Sequence, residues 1–154
     1  MQIYSRQKSL SVTTQQEDQI RIEARLIDQV HEIGVILVVR VSTEEILEAE
    51  AIMQRFPWSI CPEVVPKMGG LVGLKIQSGI RQQVKDIIGR SQGCTHLVDL
   101  VMEAVQGAFQ AIVRVKQQHL TFEEQQKQVK KILKGTCYAF SNLDRNPVPM
   151  VPKD

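Results

Sequence analysis

Gln19-Ile20-Arg21-Ile22-Glu23-Ala24-Arg25-Leu26 alternates polar and apolar side chains at every step. That period of two belongs to a strand with one face in a core and the other in solvent. A turn region follows, Asp28 to Gly34. Val35-Ile36-Leu37-Val38-Val39 then forms a nearly continuous β-branched run, the pattern of a strand buried on both faces. The two runs, Gln19–Leu26 and Val35–Val41, read as an antiparallel pair. Everything else is arranged around that pair.

Downstream the pattern turns helical. Ser42-Thr43-Glu44-Glu45 has the form of a capping box, which predicts a helix to about Arg55 with Ile46, Ala49, Ile52 and Met53 on its apolar face. Phe56-Pro57-Trp58 ends it, because the residue before a proline leaves the helical region. Residues 59–73 read as loop with one short helical turn near Val64. Trp58 in that loop either anchors on the core or lines a pocket. Gly69-Gly70-Leu71-Val72-Gly73 is turn chemistry, since it lacks the Lys-Ser/Thr ending of a phosphate loop. Ser78 caps a helix that ends at Gly89, with Ile80, Val84 and Ile87 facing inward.

The longest predicted helix runs from Thr95 to about Lys116. Its polar residues Asp99, Glu103, Gln106, Gln110 and Arg114 form one narrow stripe, and nearly all the rest is apolar. Such a helix is the central core element or a homodimer interface. Thr121-Phe122-Glu123-Glu124 is a second capping box, opening a helix to about Leu133 that Gly135 closes.

Upstream, residues 1–17 read as an arm or edge strand. Residues 18–144 read as a single α+β domain, a small antiparallel sheet packed with a helical bundle around one long central helix. Residues 145–154, with prolines at 147, 149 and 152, read as an extended tail.

The chain has 154 residues, 43% hydrophobic and 23% charged, enough for a buried core. A net charge of +2 argues against a nucleic-acid partner. Lys127, Lys130, Lys131 and Lys134 suit a helix C-terminus and a solvated face. No run reaches the ~18 apolar residues of a membrane span, so no membrane partner is expected. No export signal is apparent at the N-terminus, and the cytoplasm is the expected compartment. Three cysteines cannot all pair within one chain, and there they are expected as thiols or ligands.

Those cysteines fall at loops or element ends: Cys61 in the proline-rich loop, Cys94 at the opening of the long helix and Cys137 after the last one. With His96 they make up a Cys3His set, a donor set that tetrahedral zinc accepts. A small zinc- or iron-binding protein is the leading expectation from Cys61, Cys94, His96 and Cys137. Cys-x-x-Cys spacing is absent. Cys94 and His96 can act together only if Cys94 precedes the first helical turn, which Gly93 makes easier. The alternative is a thiol enzyme in which Cys94 at a helix N-terminus is the nucleophile and His96 its base. A third reading makes the cysteines small buried residues of an assembly module. Asp28 and His31 add a carboxylate and an imidazole without an assigned role.

The order Asp28-x-x-His31, Pro57 with Cys61, Leu71-Val72-Gly73, then Gly93-Cys94-Thr95-His96-Leu97 resembles a bacterial family of unknown function with a Gly-Cys-x-His-Leu signature. The resemblance covers roughly residues 18–140, less closely at Cys137-Tyr138. It implies a purpose for Cys94 and His96 but supplies no substrate.

Overall fold

Strand pairing starts where the alternation is strongest and spreads to both sides. In a computed structural model, which describes residues 1–147, β1 (Arg6–Gln16), β2 (Gln19–Asp28), β3 (Glu32–Arg40) and β4 (Glu45–Arg55) form one antiparallel sheet in the order β1-β2-β3-β4. The fold is α+β. The predicted β2–β3 pair is its centre, with Ile22 opposite Leu37 and Leu26 opposite Ile33. Ile20, Ile22, Ala24 and Leu26 are all buried. Residues 6–16 are the edge strand foreseen as one option for the N-terminal segment.

The helix expected from Ser42 to Arg55 is a strand. Glu48 and Glu50 are exposed while Ala49 and Ala51, which alternate with them, are half-buried, which is period two. A register shift between Val38 and Val39 offsets that alternation from Ile46 and gives the stretch its helical look. Glu, Ala, Leu and Met favour helix weakly, by tenths of a kcal/mol each, and a ladder to β3 outweighs that preference. The supposed capping residue is committed elsewhere. Ser42 donates its backbone N–H to Asp18 Oδ1 at 2.9 Å, and its hydroxyl donates to Oδ2.

Beyond the sheet, Cys61–Leu71 is a 3-10 segment, longer than the single turn expected near Val64. Helices α1 (Ile80–Ile88) and α2 (Thr95–Gln117) follow. Gly79, at φ +90°, occupies the cap position of α1, which has no side-chain cap, so Ser78 does not serve as one. Of the three residues expected to face inward, Ile80 and Val84 are buried and Ile87 is half-buried.

The face of α2 carrying Leu97, Leu100, Val101, Ala104 and Ala108 enters the core with the inner face of the sheet. Asp99, Gln106, Gln110 and Arg114 are exposed as predicted, but Phe109 is exposed too, so the buried arc is narrower than composition suggested. The apolar face that suggested a homodimer is occupied by the chain's own core. Strand β1 runs beside α2: Lys8 pairs with Asp99, and Leu10 lies over Gly107. A Cβ at Gly107 would sit 2.5 Å from Leu10 Cδ2, so a larger residue there would push the Leu10 side chain aside.

The chain forms two compact units, Met1–Val115 and Lys116–Asp154. The second contains α3 (Phe122–Ile132) and α4 (Tyr138–Ser141). The capping box at Thr121 is present: Glu124 N–H donates to the Thr121 hydroxyl, and Thr121 N–H donates to Glu124 Oε2 at 2.9 Å. Lys130 and Lys131 lie in the last turn of α3. The proline-rich tail from 148 onward lies outside the described residues. Among the described residues no helix is long and apolar enough to cross a membrane.

Candidate functional site

Two groups of chemically capable side chains flank the start of α2. The first is built on the β2–β3 hairpin. Asp28 ends β2, and its side chain is 1% exposed. Oδ1 accepts the backbone N–H of Val30 at 2.8 Å and of His31 at 2.7 Å, the mark of an Asx turn. Oδ2 accepts from the Tyr4 hydroxyl and from Arg6 Nε, both at 2.9 Å. The ring of His31 turns back so that Nδ1 lies 3.2 Å from Oδ1. Burial alone would raise the carboxyl pKa, but the backbone N–H groups of Val30 and His31, with Arg6 and Tyr4, more than offset it. Asp28 is held well below the ordinary carboxylate range and is ionised.

An ionised carboxylate can only accept, so His31 Nδ1 carries a proton, and in the neutral ring Nε2 is the atom left with the lone pair. His96 enters from the first turn of α2. Its ring centroid lies 4.1 Å from that of His31, and the ring planes are tilted by 40°. Arg6 Nη2 is 3.2 Å from His96 Nε2. A guanidinium can only donate, so His96 Nε2 accepts and the ring proton sits on Nδ1. Burial, then a protonated His31 and the Arg6 charge, push the His96 pKa down, partly opposed by Asp28 and Asp99, which favours the neutral ring on His96.

In their neutral forms the two rings are the same tautomer with opposite free atoms: a bare acceptor on His31 and an N–H on His96. Neither atom has a protein partner among the described residues. No buried side-chain nitrogen or oxygen there lacks a partner, so both atoms reach solvent.

The second group lies at the other side of the helix start. Cys94 precedes α2, and its carbonyl accepts the N–H of Val98 at 3.1 Å. Its own N–H donates to Ile88 O at 2.8 Å across a tight loop. A Cβ at Gly93 would lie 2.0 Å from that same carbonyl, so the glycine is required by close backbone approach rather than by a left-handed φ. Cys94 and Cys61, both half-buried free thiols, line one cleft of about 520 Å³. Ile60, Val64 and Lys67 also line it, and the Lys67 ammonium donates to the Gln92 carbonyl. Trp58, 72% exposed, neither anchors on the core nor lines this cleft.

The sequence-derived set Cys61, Cys94, His96 and Cys137 is thus divided. Cys61 and Cys94 share a cleft, His96 is held among Arg6 and His31, and Cys137 is exposed in the second unit. Among the described residues no three His, Cys, Asp or Glu side chains gather closely enough to hold a metal ion, so the four-ligand zinc or iron centre is not assembled. Positions two apart at a helix start point to different sides, which is why Cys94 and His96 part. No hydrogen bond joins them among the described residues. Tyr4 and Arg6 were not foreseen. The inward alternation of Arg6, Lys8, Leu10 and Val12 along β1 was the signal that could have found Arg6.

A family model described as Protein of unknown function (DUF2889) matches residues 4–110, and the chain belongs to that family. The matched stretch contains Tyr4, Arg6, Asp28, His31, Cys61, Cys94 and His96, and excludes Cys137. No curated protein and no solved structure matches the chain.

Proposed function

We propose that the His31–His96 pair is an acid–base site for a small carbonyl compound, with His31 Nε2 as proton acceptor and His96 Nδ1–H as donor to the carbonyl oxygen. The supporting observation is Asp28, a buried and ionised carboxylate that orients His31 through Nδ1 and leaves Nε2 bare. An oriented imidazole of this kind suits general-base chemistry. In the step proposed, His31 takes a proton from the carbon beside the carbonyl. The C–H electron pair becomes the C=C bond, the carbonyl π pair moves to oxygen, and His96 hydrogen-bonds that oxygen. Return of a proton from His31 restores the starting compound.

The test is deuterium exchange from D2O into hydroxyacetone, followed by proton NMR. Wild type is expected to exceed equimolar imidazole by about 100-fold. His31→Gln should abolish the excess, and His96→Gln should reduce it. Exchange no faster than imidazole, or unchanged in His31→Gln, overturns the proposal.

A second reading makes the cluster a clasp that fastens the N-terminal segment, because Tyr4 and Arg6 both donate to Asp28. It predicts that His31→Gln changes stability and nothing else.

A further inference from the structure

The thiol cleft is independent of the histidine pair and invites its own chemistry. Cys61 opens the 3-10 segment, Cys94 opens α2, and 33 positions separate them in the chain, yet they line the same cleft. Neither thiol is exposed like that of Cys137, and neither is fully buried, so both are sheltered and still reachable. Tetrahedral zinc needs four protein donors in a structural site. Two sulfurs, by contrast, are the complete donor set of a soft two-coordinate cation, and thiolates favour Cu(I) among biological metals.

We propose that Cys61 and Cys94 form a two-thiolate site for a soft monovalent cation of the Cu(I) type. Binding replaces two S–H bonds with two metal–sulfur bonds. Two protons leave, and the bis-thiolate complex carries one net negative charge. Lys67 in the cleft wall offers a compensating cation, and through the Gln92 carbonyl it ties the loop before Cys94 to the 3-10 segment carrying Cys61. Glu63, also in the lining, opposes that charge balance. Gly93 holds the Cys94 backbone against Ile88, so the main chain that carries one of the two ligands is fixed before the metal arrives.

The experiment is titration of the full, reduced chain with Cu(I) under anaerobic conditions against a chromophoric Cu(I) chelator, with proton release measured in parallel. Expected are one Cu(I) per chain and two protons released at a pH where both thiols are protonated. Cys61→Ser and Cys94→Ser should each weaken binding by more than about 100-fold, beyond the loss typical of an outer-shell change. Cys137→Ser and His96→Gln should bind like wild type. Equal affinity in Cys61→Ser, or loss of the site in Cys137→Ser, overturns the proposal. Circular dichroism of each variant identifies any that fails to fold. For such a variant, alkylation decides: bound Cu(I) should protect Cys61 and Cys94 of wild type together and leave Cys137 reactive. Protection of Cys94 alone also overturns it.

Discussion

Cys94 and His96 stand two residues apart, yet the two sides of this helix start differ in almost every physical respect. On the His96 side, Asp28 gathers donors from Tyr4, Arg6, Val30 and His31 around one buried charge. On the Cys94 side, two half-buried thiols line an open cleft held by backbone contacts and Lys67. In the first, both oxygens of one carboxylate are engaged, and removing it leaves several donors unpaired. The second is a surface whose sulfurs have little structural work. Proximity in sequence is thus poor evidence for a shared site.

The comparison is most exposed to Asp28→Asn. An amide cannot replace a buried anion that accepts from Arg6, Tyr4 and two backbone N–H groups, and the loss should be about 3 kcal/mol by chemical denaturation. A loss under about 1 kcal/mol would mean the network is not what holds the hairpin.

The same carboxylate sets a pH dependence. Its folded pKa lies below the ordinary 3.8, so the unfolded chain binds the proton more readily. Its stabilisation is complete well above 3.8 and is lost as pH falls through and below that value. Urea midpoints from pH 6 to pH 2.5 should fall more steeply for wild type than for Asp28→Asn, and parallel curves would assign acid sensitivity elsewhere.

Gly93→Ala probes the hinge between the two sides. Its Cβ would meet the Ile88 carbonyl at 2.0 Å, which no side-chain movement relieves. The expected cost is about 2 kcal/mol, with Cu(I) affinity reduced as well because Cys94 is displaced. Unchanged thermal stability would show that the loop adapts freely.

The smallest effects should come from the thiols. Cys61→Ser and Cys94→Ser should each change stability by less than about 1 kcal/mol. Combined with Asp28→Asn, Cys61→Ser should be additive within about 0.5 kcal/mol. A larger coupling would join the two sides into one site.

Much of the fold was legible because strong periodicity leaves little choice. The run 19–26 has one polar and one apolar face only as a strand, and 95–117 buries one coherent arc only as a helix. The stretch 45–55 was misread because its residue types favour helix while a register shift beside Ile46 disguises its alternation. Within the site, sequence pointed to Cys61, Cys94 and His96 as individual residues, and it noted Asp28 and His31 without a role. What it could not supply was their grouping. Direction at a helix start depends on which turn each side chain leaves from, and the neighbours of Cys94 and His96 come from elements tens of residues away. Sequence alone determined the central strand pair, the long helix and the presence of thiols and imidazoles. Only the tertiary structure decided that Arg6 meets His96 and that Cys61 meets the cleft of Cys94, because those neighbours are set by how β1 and the 3-10 segment pack around the core.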